Sequence, residues 1–135
     1  MNLPKDHRLA LAEQAKLDRI NEMREQPKPR LVTLVRRQGY GFFLRYNDGH
    51  YFTRIAPGEP ADLAGVKNND RIVEINGVNV ESATQSHLVD LIRKSDGKVS
   101  FLVVDEETDK YYKSRSIRIT SDLSRTVHIT TSTDL

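Results

Sequence analysis

The sequence predicts a small α+β fold, and three observations carry that expectation. Short apolar runs alternate with Gly-, Asn-, Asp- and Pro-rich turns between residues 31 and 104. One amphipathic helical stretch, Gln85–Lys94, falls late in that series. A second, shorter helical pattern follows Pro60 and stops at Gly65.

The elements follow in order. Residues 1–30 read as a polar, helix-prone arm. Leu9, Ala12, Ile20 and Met23 share one helical stripe, Lys16 interrupts it, Asp6 is a candidate cap and Pro27 stops the run. This arm is either a fraying helix outside the domain or a helix that docks on a partner or a membrane surface. Pro27-Lys28-Pro29 is a stiff linker into the domain. Leu31–Val35 is the first strand and Phe42–Tyr46 the second. Asn47-Asp48-Gly49 turns the chain into a third, His50–Ile55. Pro60 opens a short helix through Ala64. Arg71–Ile75 is the fourth strand, and Asn76-Gly77 turns it into Val78–Val80. Thr84 caps the helix Gln85–Lys94, with Leu88, Leu91 and Ile92 inward and Val89 at the edge of that stripe. Val99–Val104 closes the unit. Residues 105–135 form an extension and tail that is expected to be largely flexible, because Ser and Thr dominate from Ser114 onward. Within it, Tyr111-Tyr112 are candidates for packing back on the domain, and Ile117/Ile119 and Val127/Ile129 alternate as in weak strands.

Composition narrows the function. Apolar residues are 37% and charged residues 30% of the 135 residues, and no apolar run approaches the ~20 residues a membrane-spanning helix needs. Met1–Lys5 has no apolar core of a secretory signal, so none is expected. The absence of cysteine excludes disulfides, thiolate metal sites and a thiol nucleophile. The net charge of +2 is spread evenly: 7 basic and 5 acidic residues in 1–30, 11 and 12 in 31–113, 3 and 2 in 114–135. No dense basic patch exists for a nucleic-acid backbone. The four histidines, at 7, 50, 87 and 128, lack metal-ligand spacing, and no Ser or carboxylate has a catalytic context. No enzyme, cofactor, metal or small-molecule substrate is expected.

The informative run is Gly39-Tyr40-Gly41-Phe42, just before a strand. Two glycines around one aromatic let successive N–H groups converge on an anion. A phosphate loop would instead lead from Gly-Lys-Ser/Thr into a helix. Here the chain enters a strand, which suits the carboxylate end of an extended peptide pairing with that strand. Taken alone, the run reads by default as a turn between strands.

Its context changes that reading. Gly39-Tyr40-Gly41-Phe42 is followed by the Asn47-Asp48-Gly49 turn, then Pro57-Gly58-Glu59-Pro60-Ala61-Asp62-Leu63-Ala64-Gly65. Asn69 through Val80 comes next, and then a helix with Leu88-Val89-Asp90-Leu91-Ile92. In this order the motifs resemble a PDZ domain over residues 31–104. Tyr40, Pro57-Gly58 and Leu102 through Asp109 make the chain similar to the sodium–hydrogen exchanger regulatory factor group of scaffolds. The resemblance implies a partial β-barrel of five to six strands with two helices, and a ligand groove between the second strand and the second helix. It also implies an adaptor, cytoplasmic and held at the plasma membrane through its partners. Those partners are the C-terminal tails of membrane transporters, channels or receptors, of the pattern X-Ser/Thr-X-apolar. A β-rich interaction domain without carboxylate recognition is the alternative.

By position, the resemblance assigns the terminal carboxylate to the N–H groups of Tyr40, Gly41 and Phe42, with Arg36 or Arg37 adding long-range attraction or remaining a solvated loop charge. Tyr40, Phe42, Leu44, Val89 and Ile92 would hold the ligand's last side chain; Phe43, Arg45 and Thr53 would meet upstream residues or form ordinary strand surface. Two positions depart from the family pattern. Asn69-Asp70 replaces Gly-Asp before the fourth strand; Asn tolerates positive φ, so the fold stands. Gln85 occupies the position where a histidine usually reads Ser or Thr, while His87 falls about 200° around the helix. A neutral amide still donates to a hydroxyl. The terminal Ser132-Thr133-Asp134-Leu135 itself matches such a ligand, with Thr133 two before the apolar Leu135, so self-association through Leu135 is a further expectation.

Overall fold

The computed structural model describes residues 13–14, 27–122 and 126–130. Of the N-terminal arm, Glu13 and Gln14 are helical, residues 27–29 lead into the first strand and Arg30 begins it; the rest lies outside the described residues, as does the tail Thr133, Asp134 and Leu135.

The chain forms strands β1 (Arg30–Val35), β2 (Phe43–Tyr46) and β3 (His50–Thr53), then helix α1 (Pro60–Leu63). Strands β4 (Arg71–Ile75) and β5 (Val78–Asn79) follow, then α2 (Gln85–Lys94), β6 (Lys98–Val104), α3 (Glu106–Ser114) and β7 (Val127–Thr130). Thr84 caps α2 as expected, its hydroxyl accepting from the His87 N–H at 3.1 Å. β3 ends at Thr53, two residues earlier than its apolar run suggests, because Arg54 adopts φ +50°. Asn69 has φ +72°, the left-handed conformation that Asn supports in place of Gly.

Among the described residues the strands form one seven-stranded sheet of order β2-β3-β4-β6-β1-β7, with β5 hairpinned onto β4. β4 and the second half of β6 are buried on both faces. Along β6 the side chains alternate between two cores. Val99, Phe101 and Val103 join Val32, Leu34, Phe52, Ile72, Ile75 and Leu88 on the side of α1 and α2. Leu102 and Val104 join Val73, Tyr112 and Ile119 on the other. A bulge in β4 between Ile72 and Glu74 adjusts this alternation. Ile72 and Ile75 both enter the first core, whereas Val73 joins the second.

The two helices expected between residues 31 and 104 are α1 and α2, whereas the expectation of a largely flexible extension needs correction. The extension contributes a further helix, α3, and the strand β7. Asp105 caps α3 by accepting from the Thr108 N–H at 2.7 Å. Glu106, Glu107 and Asp109 in the first turn and Lys113 in the last complement the helix dipole. Tyr112 then buries itself against the back of the sheet. β7 pairs in parallel with β1, Val32 facing Ile129, and Ile129 packs on the first core. The Ser/Thr-rich composition of this region conceals the few apolar side chains that fix it.

Candidate functional site

The Gly39–Phe42 loop is shaped by where its carbonyls go. Gly39 O accepts from Arg37 N–H at 3.3 Å, Tyr40 O from Ala61 N–H at 3.0 Å, and Gly41 O from Ala56 N–H at 2.9 Å. In a trans peptide the N–H points opposite to the C=O of the same plane. The N–H groups of Tyr40, Gly41 and Phe42 therefore point away from the segments their carbonyls contact. None of the three donates a hydrogen bond among the described residues. Gly41 is required here twice over. Its φ is +78°, and a Cβ on it would lie 2.2 Å from the Glu59 Cβ.

Beside this loop an open cleft of about 430 Å³ runs between β2 and α2. Tyr40, Phe42 and Leu44 form one wall, and Val89 and Ile92 the other. The Tyr40 and Phe42 rings stack at 6.1 Å. Phe42 is anchored edge-on against Phe52 at 4.9 Å and Phe101 at 5.7 Å, which ties this wall to the main core. Gln85 stands at the cleft through its place at the start of α2. β2 is the terminal strand of the sheet, so its outer edge faces this cleft. Phe43 lies at the rim and is 62% exposed.

Of the residues singled out from sequence, Tyr40, Phe42, Phe43, Leu44, Gln85, Val89 and Ile92 thus line one cleft, with Gly41 in the adjoining loop. Arg45 and Thr53 do not line it. The Arg45 guanidinium donates to Asn69 Oδ1 at 3.0 Å and lies 4.9 Å from the Tyr51 ring centre. Thr53 pairs with Phe43 across β2 and β3. Of the two loop arginines, Arg36 lines the cleft. Arg93 also lines it, a residue that sequence reasoning passed over. Its position four residues after Val89 was the available signal. His87 borders a different, polar hollow with Ser86 and Asp90.

Among the described residues no carboxylate lines the cleft, and Asp90 on α2 is paired with Lys94 at 2.9 Å. The start of α2 is held by His50, which is fully buried and whose Nε2 lies 2.6 Å from the Ala83 carbonyl. The arrangement offers unengaged backbone donors, an apolar trough and two flanking guanidinium groups. It has the elements needed to receive an extended chain ending in an anion.

Residues 20–104 match the family model for the PDZ domain. The Na(+)/H(+) exchange regulatory cofactor NHE-RF2 of Oryctolagus cuniculus is 42% identical over 105 residues, covering 75% of this chain and 33% of that protein. Its counterpart in Mus musculus is 41% identical over 104 residues, covering 74% of this chain and 31% of that protein. The chain spans about a third of the length of these relatives.

Proposed function

The chain belongs to the PDZ domain family, a family of protein-interaction modules, and we propose that it binds the free C-terminal peptide of partner proteins by strand addition to β2. The observation that carries this reading is the set of three adjacent N–H donors at Tyr40, Gly41 and Phe42, unengaged beside an apolar cleft. A terminal carboxylate would accept charge-assisted hydrogen bonds from them. The last side chain would enter the trough of Tyr40, Phe42, Leu44, Val89 and Ile92. Gln85 would donate to a Ser or Thr hydroxyl two residues earlier, a neutral contact that gives a modest preference. Phe43, Arg45 and Thr53 would meet residues upstream of the terminus. The names of the relatives concern regulation of sodium–proton exchange, which supports tails of membrane transporters, channels or receptors as partners. The module would then act as an adaptor at the cytoplasmic face of the plasma membrane.

The test is titration of the chain with one peptide as free acid and as C-terminal amide. Charge-assisted bonds contribute about 1.5–3 kcal/mol, so amidation should weaken binding roughly tenfold or more. Equal affinities would favour a β-rich interaction domain that ignores the carboxylate.

The end of this chain, Thr133-Asp134-Leu135, favours a second reading, in which Leu135 occupies the groove of its own or a neighbouring chain. A ligand segment joined to the domain meets a groove at a high effective concentration, so a micromolar site would be largely self-occupied. Deleting residues 133–135 should then raise the apparent affinity for external peptide or abolish concentration-dependent association.

A further inference from the structure

Given the reading of the cleft as a carboxylate-terminal peptide groove, we propose that Arg54 selects ligands with an acidic side chain at the penultimate position. In an extended peptide, successive side chains point to opposite faces. When the last side chain enters the trough beside Phe42 and Leu44, the preceding one faces the side of Phe43. That side is occupied by Arg54. Its guanidinium lies 5.7 Å from the centre of the Phe43 ring, and the ring is 62% exposed. The aromatic face holds the cation at the rim without neutralising it.

Three observations make this a reader of charge. Arg54 forms no ion pair among the described residues, whereas Arg30 is paired with Asp70, and Arg71 with Glu81 and Asp109. It adopts φ +50° directly after Thr53, which pairs with Phe43. A non-glycine residue in that region is strained, and such strain gathers at binding sites. Among the described residues no carboxylate lines the cleft to compete for the guanidinium.

The experiment titrates the full chain with free-acid peptides that differ only before the final Leu: Thr-Asp-Leu, Thr-Asn-Leu and Thr-Lys-Leu, with amidated Thr-Asp-Leu as a fourth arm. An ion pair at a solvent-exposed rim predicts that Asp binds about two- to fivefold more tightly than its isostere Asn, and Lys more weakly than Asn. In Arg54→Gln the ratio of Asp to Asn affinities should fall to about one, and in Arg54→Glu the order of Asp and Lys should reverse. Added salt should shrink the wild-type ratio. Equal binding of Asp and Asn by the wild type would overturn the proposal. So would an Asp preference that survives both substitutions. If the amidated peptide binds as well as the acid, the groove reading itself fails, an outcome separate from loss of the Asp preference alone.

Discussion

Arg71 on β4 grips Asp109 on α3 through two hydrogen bonds, Nε to Oδ2 at 3.0 Å and Nη2 to Oδ1 at 2.8 Å. Its third nitrogen, Nη1, reaches Glu81 at 2.8 Å. The guanidinium is buried, so each carboxylate offsets part of its desolvation. This pair fastens the extension to a strand in the middle of the sheet, 38 residues away in sequence.

Asp109→Asn should therefore loosen α3. Arg71 would keep Glu81 but lose a charged, two-pronged partner. A hydrogen bond to a charged group contributes about 1.5–3 kcal/mol, and urea unfolding should report a loss of that order. A midpoint unchanged from wild type would show that Tyr112 and Ile119 hold the helix alone.

The same pair predicts acid sensitivity. Burial by itself pushes Asp109 and Glu81 upward. Arg71 and Lys113 outweigh it at Asp109; the Asn79 amide and Arg71 outweigh it at Glu81. Both carboxyls are thus held below their ordinary range. A lowered folded value means the unfolded chain binds protons first as pH falls. The contribution is intact above the ordinary carboxylate values of about 3.9–4.3, and is lost as pH drops through them and through the lowered folded values. Stability should be level from neutral pH to about 5 and then decline. Asp109→Asn should flatten that decline, and parallel curves for variant and wild type would contradict the assignment.

Gly41→Ala should damage the peptide-binding loop locally. Positive φ and the 2.2 Å approach to the Glu59 Cβ both oppose a side chain, and strain of this kind costs about 1–3 kcal/mol. Affinity for a free-acid peptide should fall in step as the loop carbonyls shift from Ala56 and Ala61. Adding Glu59→Gly removes the clash but not the φ penalty, so the double variant should recover only part of the loss. Full recovery would make the contact the whole cause.

Gln85→His should sharpen discrimination between Thr and Val two residues before the peptide end. Gln85 lines the cleft and His87 does not. The wild-type preference rests on one neutral hydrogen bond, worth about 0.5–1.5 kcal/mol, and should therefore be modest. His87→Ala should leave it unaltered; if His87→Ala changes it and Gln85→Ala does not, the helix presents a different face to the ligand.

Elements with strong local signals were legible in the sequence. The Asn76-Gly77 turn, with φ of +49° and +80°, and the Thr84 cap set the boundaries of β4 and α2 as read from the residues. The convergence of Tyr40, Leu44 and Val89 on one cleft was legible through a resemblance rather than from spacing. Its physical basis, three carbonyls tied to Arg37, Ala56 and Ala61, lies in long-range contacts that no local pattern encodes. α3 was missed although Asp105 and the acidic first turn were present, because a charge run with two tyrosines resembles solvated chain. Its stability comes from Arg71 and the back of the sheet. β7 was visible as a weak alternation at Val127 and Ile129. Its partner β1 lies at the other end of the domain, which made the pairing unreadable.

The bulge in β4 carries a consequence for how this strand tolerates change. Substitutions there alter one side chain, but an insertion alters phase. Removing Val73 would erase the bulge and leave Glu74 opposite Leu102 and Ile75 opposite Phe101, with the loss of one side chain from the second core. Inserting a residue between Glu74 and Ile75 would instead turn Ile75 from its place beside Phe101 to the face where Glu74 meets the Ser121 N–H at 3.4 Å. Strand β4 should therefore tolerate losing its bulged residue far better than gaining another.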